Sequence, residues 1–167
     1  MDRIALIKPQ YVWITSGLGK WTNEKGAEIL AKRAAGIDTL NIVSVARLSD
    51  SNFCVVDEAE FKKKSNNRRY TYMYGDISQA PQGNKIYGDI SVISTNDWNR
   101  VAYYTTDITH RPPPEIPPSR KELIKSFEHE VGSLAPSPQT CTEWVKSVEE
   151  GFYYAIVLAA MVIGEPE

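Results

Sequence analysis

The apolar run "FYYAIVLAAMVIG" (residues 152–164) constrains the fold more than any other part of the sequence. A transmembrane helix needs about 20 consecutive apolar residues, and this run is shorter. Its Tyr, Ile and Val residues favour a β-strand, and because no polar residue interrupts it, both faces of that strand must be covered. We therefore expect a central strand between two layers, and no membrane partner.

The 167 residues are expected to form one domain, residues 1–167, large enough to bury a core without disulfides or a metal. A net charge of −2 gives no electrostatic argument for nucleic acid or an anionic membrane as partner. Cys54 and Cys141 stand far apart and outside any CxxC motif, which indicates reduced, packed thiols in a cytoplasmic protein. The start, "MDRIALIKPQ", has too short an apolar run for a signal peptide.

In the first half of the chain, turn residues separate the predicted elements. We expect a strand over 11–17 that ends at Gly17, a loop through "GLGK", and a helix over 23–36 closed by Gly36. Residues 39–48 are rich in β-formers and predict a strand. The polar segment "DEAEFKKKSNNRR" is expected to be exposed, and its basic part, 61–69, is read as a solvated loop rather than a nucleic-acid patch.

In the second half, "YTYMYGDISQ" and "KIYGDISVIST" flank "APQGN", a pattern typical of a hairpin, and "RVAYYTTDI" predicts another strand. Ser119 and Glu122 form a capping box, so Ser119 is expected to cap a helix. That helix has an apolar face of Leu123, Ile124, Phe127 and Val131. "TCTEWVKSVEE" is expected to pair with 152–164, and the whole pattern predicts an α+β fold.

No motif identifies an active site. "GLGK" is followed by Trp21, whereas a phosphate-binding P-loop requires Ser or Thr after the lysine. His110 and His129 lack partners at metal-ligand spacing, so we expect no metal and a structural role for each, with His110 the better placed to touch a ligand.

Read together, "VWITSGLGKWTNEKGAEILAKRAAGIDTLNIVSVARL" resembles the N-terminal half of the pyruvoyl-dependent arginine decarboxylases. The matching features are Ser16-Gly17, Ala35-Gly36-Ile37 and Asn41-Ile42-Val43. "APQGNKIYGDISVIS", "SRKELIKSFEHEV" and "GFYYAIVLAAMVIG" resemble later segments of that family mainly in their order.

This resemblance implies a four-layer αββα sandwich that assembles as a trimer or as a dimer of trimers, with active sites between subunits. Members of the family cut their own chain at a Ser-Ser or Thr-Ser pair. The second serine becomes a pyruvoyl group, whose carbonyl forms a Schiff base with the substrate and acts as an electron sink.

The present sequence departs from that pattern at three parts of the implied arginine site. Ala46 and Arg47 stand where the cleaved pair belongs, and neither offers the hydroxyl that self-cleavage requires, so we expect no pyruvoyl cofactor. The acidic residue that meets the substrate guanidinium aligns with Ile29, beside Glu28. The proton-donating glutamate aligns with Thr105 or Thr106, just before Asp107.

The resulting hypothesis is an unprocessed homotrimer that acts as a repurposed enzyme or binder for a small polar metabolite at the intersubunit pocket. The candidate catalytic residues are Arg47, Asp107 and His110. The candidate ligand-binding residues are Asn41, Arg47, Glu28, Thr105, Thr106 and Tyr104. A guanidinium favours a carboxylate or phosphate ligand.

Three alternatives remain open. Arg47 can instead pair with Asp107 or Glu28 of a neighbouring subunit as a structural contact. The chain can be a non-catalytic partner of an active paralogue. It can also be a genuine pyruvoyl-dependent amino-acid decarboxylase that is cleaved at Ser44, Ser49 or Ser51.

Overall fold

The computed structural model describes residues 4–49, 51–80, 84–94, 99–131, 139–145 and 149–167. These residues form an α+β fold of eight strands and three helices. The strands are β1 (Ile4–Trp21), β2 (Ile42–Leu48), β3 (Cys54–Val55), β4 (Thr71–Ala80), β5 (Ile86–Ser94), β6 (Asn99–Asp107), β7 (Gln139–Val145) and β8 (Tyr153–Pro166). The helices are α1 (Glu24–Ala35), α2 (Glu58–Ser65) and α3 (Pro118–Val131). No helix in these ranges is both long and apolar enough to cross a bilayer.

The predicted central strand is confirmed as β8. It lies between β1 and β4 and is antiparallel to both. Residues 155–162 are 0% exposed. Alternate side chains point to opposite faces of a strand, and accordingly Ile156 and Leu158 join one core cluster while Val157 and Met161 join the other. The uninterrupted apolar run therefore reflects burial on both faces.

The larger sheet has the order β2-β4-β8-β1-β3 and closes partly on itself, because β2 also pairs with β1. The first half of β2 is parallel to β4, with Ile42 opposite Thr71. Its second half is parallel to the start of β1, with Arg47 opposite Leu6. This double pairing holds the segment around Arg47 in a defined position at one end of the sheet.

The smaller sheet, in the order β6-β5-β7, packs on one face of the larger sheet. Their shared core contains Ile86 and Ile90 from the smaller sheet and Ile156 from the larger one. The other face of the larger sheet is covered by α1 and α2. Helix α3 packs on the smaller sheet, where Leu123 contacts a cluster with Ile93 and Ala102.

Helix α1 approaches β1 closely through small residues. A Cβ added at Gly17 would overlap the Ala31 carbonyl oxygen, and one at Gly19 would overlap that of Ala27. The predicted end of this helix is confirmed: Gly36 adopts the left-handed conformation, with φ of 80°. The predicted loop at "GLGK" is wrong, because β1 continues to Trp21 and its glycines admit the helix backbone.

The polar segment after β3 is a helix rather than the predicted loop. Asp57 caps α2 by accepting a hydrogen bond from the Glu60 amide at 2.8 Å. Lys62 pairs with Glu58 at 2.8 Å along the helix surface, and Phe61 is 0% exposed. One buried aromatic residue and a good cap therefore suffice to fix a helix in a sequence that is otherwise polar.

Two predicted strand pairings are wrong. The strands β4 and β5 do not form a hairpin, since β4 pairs with β8 and β5 pairs with β6 and β7. The strands β7 and β8 also belong to different sheets. The central strand β8 pairs with β1 on one side and with β4 on the other. As a result, the chain passes from one sheet to the other between β4 and β5 and again between β7 and β8.

The capping-box prediction at Ser119 is also wrong. Helix α3 starts at Pro118, which is favoured at a first helical position. The Ser119 amide donates to Asp89 Oδ1 at 3.0 Å, and its hydroxyl shares a 2.7 Å hydrogen bond with Ser91. The predicted apolar position Leu123 is confirmed as buried. The side chains of Phe127, His129, Val131 and Cys141 lie outside the described part of the chain.

The prediction that Cys54 is packed is wrong, because its side chain is exposed.

Candidate functional site

A small cleft of about 60 Å³ lies where β2 ends and β6 begins. The described residues that line it are Arg47, Leu48, Ser49, Phe53, Tyr74, Asn99, Arg100 and Val101. Arg47 and Arg100 come from the two different sheets. The larger sheet therefore contributes one arginine to the lining and the smaller sheet contributes the other.

Hydrogen bonds to the backbone hold the polar wall of this cleft. Asn99 is 3% exposed, and its Nδ2 donates to the Phe53 carbonyl at 2.6 Å and to Asn52 Oδ1 at 3.3 Å. Ser49 Oγ donates to the Ile7 carbonyl at 3.1 Å. These contacts fix the wall before any ligand binds, which lowers the entropy cost of binding.

Tyr74 contributes a phenol to the cleft. Its ring meets that of Tyr103 edge to face, with centroids 5.3 Å apart. Burial raises the pKa of the Tyr74 phenol, and the nearby Tyr103 and Glu122 raise it further. The phenol is therefore protonated at neutral pH and can donate or accept a hydrogen bond.

Two cationic side chains, Arg47 and Arg100, are the charged ones among the described residues that line the cleft. Arg47 forms no ion pair with any residue in the described ranges. A guanidinium pairs best with a carboxylate or phosphate because its planar N–H groups match two oxygens at once. The cleft can therefore bind a small anion.

Asp107 and His110 lie in a second polar region, on the loop that follows β6. Asp107 Oδ1 accepts hydrogen bonds from the Thr109 hydroxyl and from the Thr109 amide, the latter at 2.7 Å. The hydrogen bond from the Thr109 hydroxyl contributes most to lowering the pKa of the Asp107 carboxyl, and the bond from the Thr109 amide comes next. The nearby charges of His110 and Arg111 lower this pKa by a smaller amount. Asp107 is therefore ionised at neutral pH.

The three predicted catalytic residues do not meet within one chain. Arg100, beside Arg47, and Asp107 stand near opposite ends of β6. At a rise of about 3.3 Å per residue, about 23 Å of strand separates them. Asp107 and His110 can reach the Arg47 cleft only if a second copy of the chain supplies them.

Two further predicted ligand-binding residues hold secondary structure together. Glu28 lies on α1, on the other face of the larger sheet, and accepts from Gln79 Nε2 at 3.4 Å. The Asn41 carbonyl accepts from the Thr71 amide at 2.8 Å, and its side chain donates to the Arg69 carbonyl at 3.4 Å. Neither residue is among those lining the Arg47 cleft.

The remaining candidates lie along β6. Thr105 Oγ1 donates to Asp76 Oδ2 at 3.4 Å, which ties the smaller sheet to β4. The Thr106 hydroxyl accepts from Arg111. The ring of Tyr104 lies 6.5 Å from that of Tyr87, centroid to centroid. These contacts position the strand and the loop that follows it.

Sequence reasoning missed Arg100 and Tyr74 in the cleft and Lys85 and Arg111 beside Asp107. No local motif marks any of them, although Arg111 directly follows His110 in the sequence. Within the described ranges, no group of three or more His, Cys, Asp and Glu side chains is placed to hold a metal ion.

Comparison with models of known protein families gives no match for this chain, and a search of curated proteins finds no match either.

Proposed function

We propose that the chain is an unprocessed relative of the pyruvoyl-dependent arginine decarboxylases that binds a small carboxylate metabolite in the Arg47 cleft. The observation that carries this proposal is that Arg47 lines the cleft and forms no ion pair with any described residue. In the resembled family, the same strand position carries the serine that becomes the pyruvoyl group. In this chain, the position of that reactive group is taken by Arg47, a side chain that can bind an anion.

The layer order supports the proposed fold relationship. Helices α1 and α2 cover the outer face of the larger sheet, the smaller sheet covers its inner face, and α3 lies beyond the smaller sheet. This is the order that a four-layer αββα sandwich of the decarboxylase type requires.

The surroundings of the serines support an unprocessed chain. Self-cleavage needs a hydroxyl that is free to attack the carbonyl preceding it. Ser49 Oγ donates to the Ile7 carbonyl at 3.1 Å, and Ser51 Oγ donates to the Pro9 carbonyl at 3.2 Å. Denaturing mass spectrometry should therefore give one species at the full mass of 18.8 kDa.

The separation of Arg47 from Asp107 supports an assembly. A trimer, or a dimer of trimers, would allow the Asp107 loop of one copy to complete the Arg47 cleft of the next. Light scattering on the eluting protein measures the mass in solution. A monomer at micromolar concentration would leave the cleft a simple binding site and remove Asp107 and His110 from it.

Calorimetric titration tests the ligand class directly. We expect succinate or another small carboxylate to bind. Arginine and agmatine should not bind through their guanidinium groups, because the Arg47 guanidinium repels a second one. Arg47→Ala should weaken carboxylate binding at least tenfold, about 1.4 kcal/mol. Arg33→Ala, which removes the same charge from the surface of α1, is the matched control. Arginine binding that Arg47→Ala leaves unchanged would contradict the proposal.

A further inference from the structure

The loop after β6 forms a second concave region at the far end of that strand from Arg47. Two adjoining cavities of about 370 and 530 Å³ share Thr109, His110 and Arg111. Asn84 and Asp107 line the first of them, whereas Lys85, Ile108, Pro112 and Pro113 line the second. Residues just before β5 and residues at the end of β6 and after it therefore meet at this loop.

Backbone contacts fix the loop against Lys85. The Ile108 amide donates to the Lys85 carbonyl at 2.9 Å, and the Lys85 amide donates to Thr109 Oγ1 at 3.1 Å. The Arg111 amide closes the turn by donating to the Ile108 carbonyl at 3.2 Å. Lys85, His110 and Arg111 therefore start from fixed backbone positions, which reduces the entropy lost when a ligand binds.

Several donors in this region have no acceptor among the described residues. Arg111 Nε donates to the Asp107 carbonyl, and Nη2 donates to the same carbonyl and to the Thr106 hydroxyl. Arg111 Nη1 makes no hydrogen bond with a described group. Lys85 Nζ and the His110 ring make no hydrogen bond or ion pair with a described group. The Asp107 carboxylate is occupied by two donors of Thr109 and one of Asn84.

We propose that Lys85, His110 and Arg111 bind a tetrahedral dianion, the phosphate group of a small phosphorylated metabolite. Three donor groups from three chain positions suit the several oxygens of phosphate, whereas a carboxylate offers two oxygens in one plane. Lys85 and Arg111 outweigh the single charge of Asp107. The cavities exceed the size of a phosphate and leave room for the rest of the ligand. This site is separate from the Arg47 cleft and does not depend on it.

Sulfate is the first probe because it is a tetrahedral dianion. Inorganic phosphate is the second probe, measured at the same pH.

Amide chemical shifts of the full chain, recorded during titration with sulfate and then inorganic phosphate, test this proposal. We expect shifts at 84–85 and 107–111. Lys85→Met should weaken binding about fivefold, because it removes one of the three proposed donors. Lys125→Met, an exposed lysine on α3, makes the same charge change elsewhere and should have no effect.

Three outcomes would overturn the proposal. The first is an absence of shifts at this loop up to about 50 mM sulfate, a concentration well beyond a millimolar dissociation constant. The second is equal weakening by Lys85→Met and Lys125→Met, which would indicate general attraction to net charge. The third is a set of shifts confined to the Arg47 cleft, which would leave the proposed function intact and eliminate the second site.

Discussion

The helices α1 and α3 both dock on a sheet, but different contacts hold them. Helix α1 lies against β1 through Ala27 and Ala31, at positions where Gly17 and Gly19 allow the two backbones to come close. Helix α3 starts over a buried polar cluster, in which Asp89 accepts from the Ser119 amide.

The two kinds of helix–sheet contact are disrupted by different kinds of substitution. A close backbone contact excludes added volume, because neither backbone can move without disturbing its own hydrogen bonds. A buried polar contact excludes the loss of a partner, because the remaining group stays desolvated and unpaired. We therefore expect α1 to be sensitive to size and α3 to be sensitive to hydrogen-bonding capacity.

The largest expected effect is at Gly19. Gly19→Ala should lower the free energy of unfolding by about 3 kcal/mol, since its Cβ would overlap the Ala27 carbonyl oxygen. Urea denaturation measures the loss. Gly26→Ala is the control, because its Cβ would meet the half-exposed side chain of Trp21, which can move. Equal losses for both variants would show that close packing of α1 is not the cause.

The next effect is at Asp89, which is 0% exposed. Asp89→Ala should cost about 2 kcal/mol, because the buried Ser119 amide loses its acceptor. Asp89→Asn keeps an acceptor oxygen and should cost about half as much. Denaturant midpoints of the two variants separate hydrogen bonding from side-chain volume. If asparagine costs as much as alanine, the accepted hydrogen bond is not what holds α3.

A smaller effect is expected at the start of α1. Asn23 Oδ1 accepts from the Gly26 amide at 2.7 Å at an exposed helix end. Asn23→Ala should cost about 1 kcal/mol, and Asn23→Ser, which can still accept this bond, should cost less. Thermal unfolding of both variants checks the difference. A loss as large as that of Gly19→Ala would mean that capping, rather than packing, dominates this helix.

The smallest effect on stability is expected at Asp107. Like Asp89, it accepts a hydrogen bond from a backbone amide, but it does so at the protein surface. The Thr109 bonds lower the pKa of Asp107 below its ordinary value of 3.8. Its contribution to stability is therefore present above that value and is lost as the pH falls through the lower, folded-state pKa. Thr109→Val removes the hydroxyl donor, so the pKa should rise, which an NMR pH titration of Asp107 detects. An unchanged pKa would contradict this assignment.

Features with a strong local signal were predictable from the sequence. The run at 152–164 identified β8, because only a strand covered on both faces accommodates so many consecutive apolar residues. Gly36 identified the end of α1, since a left-handed cap position favours glycine. The resemblance that puts Ala46 and Arg47 at the position of a serine pair stays a prediction.

The strand pairings and the cleft were decided by tertiary structure. Adjacent strands such as β4 and β5 enter different sheets because β8 takes β4 as its neighbour, a choice that no local pattern encodes. Arg47 and Arg100 meet because the two sheets stack, although many residues separate them in the sequence. The chain's local chemistry determined which segments become strands and helices. Only the packing of one sheet on the other decided which side chains share a site, because such contacts form between surfaces that are distant in the sequence.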